Sequence, residues 1–271
     1  MRVFKKISGF LICGIAWTVI TTLKQTPALP TLKDILKTLI KLLATIEYLK
    51  HIQSSLFIVF CGILIAVVFG FISGALVYEF KLLKQIVMPV IDSIRGISGL
   101  TLLPLLIILV GIDAPSRIIV IFWTAWPAIM LSTIHSLEID KSIVEAASLD
   151  GASRLQMMKK VRIPVASSGI MTGIRIGASG GWISLIAAEM LGATSGLGYF
   201  LLYSSQAFLF TNVYATIIVI AALGGGLNLI LSLIQKSIKN KRTGGKNEKS
   251  VNDSVSNAIN NGIAFGVQRH F

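Results

Sequence analysis

Long apolar segments separated by short polar ones dominate the sequence. Six apolar runs occupy residues 7–23, 54–78, 90–111, 118–134, 170–191 and 213–234. A membrane-spanning helix needs about 20 apolar residues, and in lipid a helix satisfies all of its own backbone groups. The pattern therefore predicts an all-α polytopic membrane protein with about six transmembrane helices.

Residues 31–50 follow a different pattern. Apolar side chains recur there at helical spacing, whereas lysines and an aspartate fall on the other face. The apolar positions are Leu32, Ile35, Leu36, Leu39, Leu43 and Ile46. This indicates an external amphipathic helix that lies on the membrane or against the bundle. A seventh span is the less favoured alternative, because it would bury at least four charges.

Composition and charge support this reading. Apolar residues make up 54% of the chain and charged residues only 14%, whereas soluble proteins are about a quarter charged. With the amino terminus inside, seventeen Lys and Arg lie on the inner side and six on the outer. The excess of inner positive charge predicts a multi-pass protein of the cytoplasmic membrane with both termini cytoplasmic. It also accounts for the net charge of +13 without nucleic-acid binding.

The predicted organisation has four parts. Residues 1–30 hold the first span and residues 31–50 the external helix. Residues 51–235 form the core, with a cytoplasmic loop at 135–169, and residues 236–271 form a basic, polar cytoplasmic tail. We predict no metal site and no cofactor, because the cysteines lie in apolar runs and the three histidines are scattered. With neither a phosphate-binding loop nor a nucleophile elbow, no enzymatic activity is predicted. If the protein is a transporter driven by a nucleotide, that nucleotide must bind another chain.

The segment EAASLDGASRLQMMKKVRIP, residues 145–164, is polar between two apolar runs. Small residues and an early carboxylate favour a short helix at its start. Asp-Gly then favours a bend, and a second helix ends at a proline. A helix held by two spans is suited to being moved by a soluble partner. The alternative is an ordinary amphipathic loop without a partner.

The spacing within this segment resembles the EAA motif of binding-protein-dependent ABC importer permeases. The family pattern is EAA, three residues, Gly, nine residues, and I-x-L-P. The matching positions are Glu145, Ala146, Ala147, Gly151, Val161, Ile163 and Pro164. Val161 and Ile163 depart mildly from the family's Ile and Leu. The stretches before and after the motif resemble the nitrate/sulfonate/taurine/bicarbonate branch, and together the resemblance covers about residues 51–235.

This resemblance implies a MetI-like permease bundle and several partners. A second permease subunit, expected to be an identical copy, would complete the translocation pathway. A cytoplasmic ATPase would dock on the motif, and an extracytoplasmic solute-binding protein would deliver a small anion or organic acid such as nitrate, a sulfonate or taurine. The alternatives are another solute (a vitamin precursor, an amino acid or a phosphonate), an ATP-independent secondary carrier, and a membrane scaffold that transports nothing.

Polar and aromatic residues inside the spans are candidates for the pathway. Glu189, near the outer end of its run, is expected either to face the pathway or the binding protein, or to pair within the bundle. Arg95, near the inner end of the third run, is expected to pair with Asp92, three residues earlier; guiding an anion is the alternative. Trp182 and Trp123 are expected to pack between helices, or else to stack on solute.

Overall fold

Every regular element in the described part of the chain is a helix. The computed structural model describes residues 14, 16–23, 26, 28–138, 158 and 162–243. Its helices are α1 Leu32–Leu43, α2 Ile46–Glu79, α3 Lys81–Ile94, a 3₁₀ helix Gly99–Leu102, α4 Leu103–Val110, α5 Ala114–Leu137, α6 Ile163–Gly192, α7 Leu197–Gln206 and α8 Phe210–Thr243. Residues 16–23 are also helical. The predicted all-α class is confirmed.

The apolar runs correspond to these helices. Among the described residues, four helices are long and apolar enough to cross a membrane: α2, α5, α6 and the part Phe210–Ile238 of α8. A fifth span is formed if α3 and the segment Gly99–Val110 cross together. Only the second half of the first predicted run is described. The spans found are therefore consistent with the predicted bundle of about six.

The third apolar run is not one continuous helix, and the prediction was wrong there. α3 ends at Ile94, and a 3₁₀ helix begins at Gly99. Residues 95–98 form a break between them, and the segments Lys81–Ile94 and Gly99–Val110 are bent by 79° relative to each other. Gly96 lowers helix propensity at the break. The Ser98 hydroxyl then accepts a hydrogen bond from Leu100 N at 3.3 Å, which caps the new helix. A polar segment with irregular backbone consequently interrupts an apolar run.

The predicted amphipathic helix is present as α1, but it is shorter than expected. Thr31 caps it by accepting a hydrogen bond from Asp34 N at 3.3 Å. It ends at Leu43, and residues 46–50 already belong to α2. Its buried side chain, Ile35, lies with Tyr214 and Ile217 of α8 around one small cavity. Of the two predicted positions, the helix takes the one against the bundle.

α5 lies at the centre of the bundle, between α2 and α6. Its fully buried side chains include Val120, Ile121, Ala125, Ile129 and Ile134. Glycines on the neighbouring helices allow close approach: a Cβ at Gly70 would lie 2.8 Å from Ile129 Cγ2, and one at Gly177 would lie 2.9 Å from the Ala125 carbonyl oxygen. Small residues pack membrane helices in this way, so α2, α5 and α6 form a tight unit.

Candidate functional site

The loop predicted to bind a partner joins α5 to α6. Five of its predicted motif positions lie outside the described residues: Glu145, Ala146, Ala147, Gly151 and Val161. The other two motif positions, Ile163 and Pro164, are the first residues of α6. Proline is tolerated in the first turn, because its missing amide hydrogen costs no helical hydrogen bond there. Arg162 donates a hydrogen bond to the Tyr78 hydroxyl at the end of α2. The carboxyl-terminal end of the loop is thereby attached to the bundle.

The amino-terminal end of the same loop is attached as well. Glu138, directly after α5, accepts a hydrogen bond from Lys84 of α3, and His135 Nδ1 lies 3.8 Å from its other oxygen. The hydrogen bond from Lys84 holds the pKa of the Glu138 carboxyl below its ordinary value. Charged side chains thus connect both ends of the loop to neighbouring helices, α3 at one end and α2 at the other.

Glu189 lies at the opposite end of the bundle and is fully buried. The Ser55 hydroxyl lies 2.7 Å from its Oε1 and 2.9 Å from its Oε2. Gly198 N donates to Oε2 at 2.9 Å, and Leu197 N donates to the Ser55 oxygen at 2.8 Å. The carboxylate therefore holds the start of α7 against α2 and α6.

A second layer of contacts surrounds this carboxylate. Arg117 of α5 is buried and donates to the Ser195 carbonyl oxygen at 3.2 Å, and it interacts electrostatically with Glu189. Gly196 N donates to His51 Nδ1 at 3.1 Å. Sequence reasoning missed Ser55, Arg117 and His51. A buried arginine near Glu189 was detectable in principle, because a cation and an anion inside apolar helices tend to pair.

Gly196 is required by this arrangement. Its backbone φ angle is +116°, a value that residues other than glycine rarely adopt. A Cβ there would also lie 2.3 Å from the Glu189 carboxylate carbon. The sequence Ser195-Gly196-Leu197-Gly198 therefore folds over the carboxylate with its amide groups pointing inward. We call Glu189, Ser55, Arg117 and residues 195–198 the carboxylate cluster.

Trp182 packs inside the bundle between α6 and α8. Its side chain is 6% exposed and belongs to an apolar cluster with Tyr48, Ile121 and Leu185. A Cβ at Gly224 would lie 2.6 Å from the indole nitrogen, whereas one at Gly225 would meet nothing within 4 Å. The structure thus places Trp182 among apolar side chains rather than along an open surface.

Arg95 lies in the break after α3 and borders a cavity of about 270 Å³. Its side chain is 59% exposed and its NH1 lies 3.8 Å from Asp92 Oδ1, the predicted pairing. The other lining residues are Ile97, Ser98, Gly99, Trp123, Thr124, Pro127, Ala128 and Leu131. Thr124 and Pro127 flank the midpoint of α5. Arg95 therefore lies beside the middle of the bundle and not near its inner end, because α3 begins at Lys81 and its 14 residues precede Arg95.

The structure does not bring the pathway candidates together. Glu189 belongs to the carboxylate cluster at one end of α6, Trp182 to the core, and Arg95 to a separate cavity near mid-depth. Within the described residues, no three His, Cys, Asp or Glu side chains are arranged to hold a metal ion.

Comparison with known proteins agrees with this architecture. Residues 66–243 match the family described as binding-protein-dependent transport system inner membrane component. The chain is 32% identical over 230 residues to the taurine transport system permease protein of Escherichia coli, covering 82% of this chain and 83% of that protein. It is 27% identical to the nitrate import permease protein of Synechocystis, covering 69% of each.

A solved structure with a similar fold is that of the MetNI methionine ABC transporter in an inward-facing conformation. The match has a TM-score of 0.62 at 20% identity and covers 70% of this chain and 95% of that one. The helical order, the matched residues and the sequence identity lead to one conclusion. The chain belongs to the family of binding-protein-dependent transport system inner membrane components and is the membrane-spanning permease subunit of an ABC importer.

Proposed function

We propose that this chain pairs with a second copy of itself to form the import pathway for a small oxyanion, either nitrate or a sulfonate such as taurine. The observation that carries the proposal is the 32% identity with a taurine permease across 82% of the chain. A nitrate permease is the second relative compared above. Taurine and nitrate share a compact, oxygen-rich anionic group, which defines the proposed solute class.

The proposed energy source is a separate cytoplasmic ATPase that docks on residues 135–169. The motif spacing of Glu145, Gly151 and Pro164 supports this docking. The contacts at both ends of the loop support transmission, because Glu138 and Arg162 connect it to α3 and α2. A displacement of the loop by the ATPase would then be transmitted to several helices rather than to one.

The proposed orientation places this loop and both termini in the cytoplasm. Seventeen Lys and Arg against six favour that arrangement. The end of the bundle that holds the carboxylate cluster then faces outward, where an extracytoplasmic binding protein would deliver solute. Switching between outward and inward access would follow the nucleotide cycle of the ATPase.

Reconstitution in liposomes tests the solute and the energy source together. We expect uptake of labelled taurine or nitrate that requires the ATPase, ATP and a binding protein and that stops with vanadate. Uptake that persists without any ATPase would instead establish a secondary carrier. Faster uptake of an amino acid or a phosphonate, under the same conditions, would reject the proposed solute class. Mass determination of the complex distinguishes one permease species from two.

Substitutions in the loop test the docking proposal. We expect Gly151→Pro and Glu145→Lys to reduce taurine uptake at least tenfold while the purified permease keeps its thermal stability. Gly225→Ala is the matched control, since its added Cβ meets no atom within 4 Å. If both loop variants assemble with the ATPase and transport at the normal rate, the loop does not couple the two subunits.

A further inference from the structure

We infer that the cavity beside the break after α3 binds a short alkanesulfonate, with Arg95 as the cationic ligand and Ser98 as a hydroxyl ligand. This site rests on the proposed function, which it deepens by assigning the solute a position within this chain.

The position of the cavity makes it part of a water-accessible route. It is lined by Thr124 and Pro127, at the middle of a 24-residue spanning helix. At that depth, irregular backbone such as residues 95–98 is tolerated only where it is buried in protein or borders water. The Arg95 side chain is 59% exposed, and a charge at mid-depth does not face lipid. The exposed face at the break therefore borders water.

The polar groups at this cavity are only partly used by the protein. A guanidinium group has five hydrogen-bond donors, and the Asp92 contact of Arg95 is 3.8 Å long, beyond ordinary hydrogen-bond distance. The Ser98 oxygen accepts from Leu100 N, which leaves its hydroxyl hydrogen free to donate. Both groups favour an anion with several oxygen acceptors, and a sulfonate has three.

The remaining lining explains why a sulfonate fits better than nitrate. Ile97, Pro127, Ala128 and Leu131 offer apolar surface in the same cavity, which an alkyl chain would cover and nitrate would not. The volume of about 270 Å³ is below the range of about 300–1,000 Å³ that is usual for drug-sized ligands. The cavity therefore matches a solute of few atoms with one anionic and one apolar end.

The walls of the cavity are held in place by the fold. Trp123 Nε1 donates to the Ile97 carbonyl oxygen at 3.2 Å, which connects the break to α5. At Gly99, a Cβ would lie 2.6 Å from Thr124 Oγ1, so the 3₁₀ helix approaches α5 as closely as a glycine permits. The backbone from Ile97 to Gly99 is thus held against α5 before any solute binds, which lowers the cost of binding at Ser98.

Direct binding of ethanesulfonate to the permease–ATPase complex tests the site. Calorimetry in nanodiscs, without binding protein, should detect ethanesulfonate but not the uncharged ethyl methyl sulfone. We expect Arg95→Gln to weaken ethanesulfonate binding at least tenfold and Arg95→Lys to weaken it less. Absence of binding to the unmodified complex, or equal binding of the sulfone, would overturn the inference.

Asp92→Asn separates an anion ligand from a structural ion pair. If Arg95 binds the sulfonate, removing the competing carboxylate leaves the affinity unchanged or raises it, opposite to the effect of Arg95→Gln. If Arg95 only pairs with Asp92, both substitutions act in the same direction, and the inference is overturned. Should Arg95→Gln fail to assemble, Arg95→Lys decides, because it keeps a positive charge beside Asp92 and loses only the guanidinium donors: about a threefold loss supports the site, and unchanged affinity rejects it.

Uptake measurements separate this inference from the proposed function. ATP-dependent taurine uptake that Arg95→Gln leaves at the normal rate would reject the site while the permease function stands. Failure of the unmodified transporter to import any sulfonate or nitrate would reject the proposed function, whatever the binding experiment shows.

Discussion

Glu189 and Arg95 both have charged side chains within the apolar bundle, yet they differ in burial and in the number of their hydrogen-bond partners. Glu189 is fully buried and receives hydrogen bonds from Ser55 and Gly198. Arg95 is largely exposed, has one long contact with Asp92, and borders a cavity. A charge inside a membrane protein must be compensated. The number of internal partners therefore separates a charge that supports the fold from one that is available to a solute.

The two regions also differ in the backbone around the charge. At the carboxylate cluster the chain folds over Glu189 with Gly196 and Gly198 close to its carboxylate. At the break the helix stops and leaves space beside α5. The first arrangement resists movement, because shifting α7 would take the Gly198 amide away from a buried carboxylate. The second leaves a side chain that can change partners without such a cost.

The largest expected effect comes from Glu189→Ala. Removing one partner from a buried charged cluster costs about 3–5 kcal/mol, since the Ser55 hydroxyl and Gly198 N lose their acceptor and Arg117 loses a nearby negative charge. Arg95→Ala should cost less than about 1 kcal/mol, as is usual for exposed ion pairs. Thermal unfolding in detergent measures both. Equal losses would contradict the distinction between the two charges.

Gly196→Ala should have the next largest effect on stability, about 2–3 kcal/mol from backbone strain together with the contact at the carboxylate. Gly111→Ala is the matched control. Gly111 also has a positive φ, of +96°, but its Cβ would meet nothing within 4 Å. If the two variants unfold at the same temperature, close approach to Glu189 contributes nothing, and the carboxylate cluster is less tightly packed than its distances indicate.

Gly99→Ala is expected to affect the cavity that Arg95 borders. Its Cβ would lie 2.6 Å from Thr124 Oγ1, and overpacking of this kind costs about 1–3 kcal/mol of folding stability. Because Gly99 and Thr124 both line the cavity, we also expect weaker binding of ethanesulfonate, measured by calorimetry. Gly225 does not line the cavity, and a Cβ there would meet nothing within 4 Å, so Gly225→Ala should leave the affinity nearly unchanged. An equal loss for Gly225→Ala would contradict a local effect at the cavity.

The smallest effect is expected for Glu138→Gln, at the loop end of the bundle. The Lys84–Glu138 pair is partly exposed, so its removal should cost less than about 1 kcal/mol. Because the Glu138 pKa lies below its ordinary value, the pair contributes fully above the ordinary carboxyl range. Its contribution disappears as the pH falls through the lowered pKa. Unfolding of both proteins across acidic pH measures this, and a difference that grows on acidification would contradict it.

Sequence reasoning was most reliable for features that depend on local pattern. Hydrophobic runs identified the spans, because a membrane-spanning helix is apolar over its length. The spacing of Leu32, Ile35 and Leu39 identified α1, because an amphipathic helix places its apolar side chains on one face. The family was recognisable from the spacing between Glu145 and Pro164 and from the flanking stretches. Each of these features requires knowledge only of neighbouring residues.

The sequence by itself determined the all-α class and the main spans, because lipid allows few backbone structures. The spacing of apolar residues determined the amphipathic helix, and the motif spacing determined the family. Only the tertiary structure decided the roles of the charges. Ser55 and Gly198 are 134 and 9 residues from Glu189, and no local pattern shows that they converge on it. Likewise, only the tertiary structure shows that Arg95 borders a cavity beside the middle of α5. The sequence shows where a charged residue lies in the chain. Its hydrogen-bond and ion-pair partners are residues that only folding brings close to it.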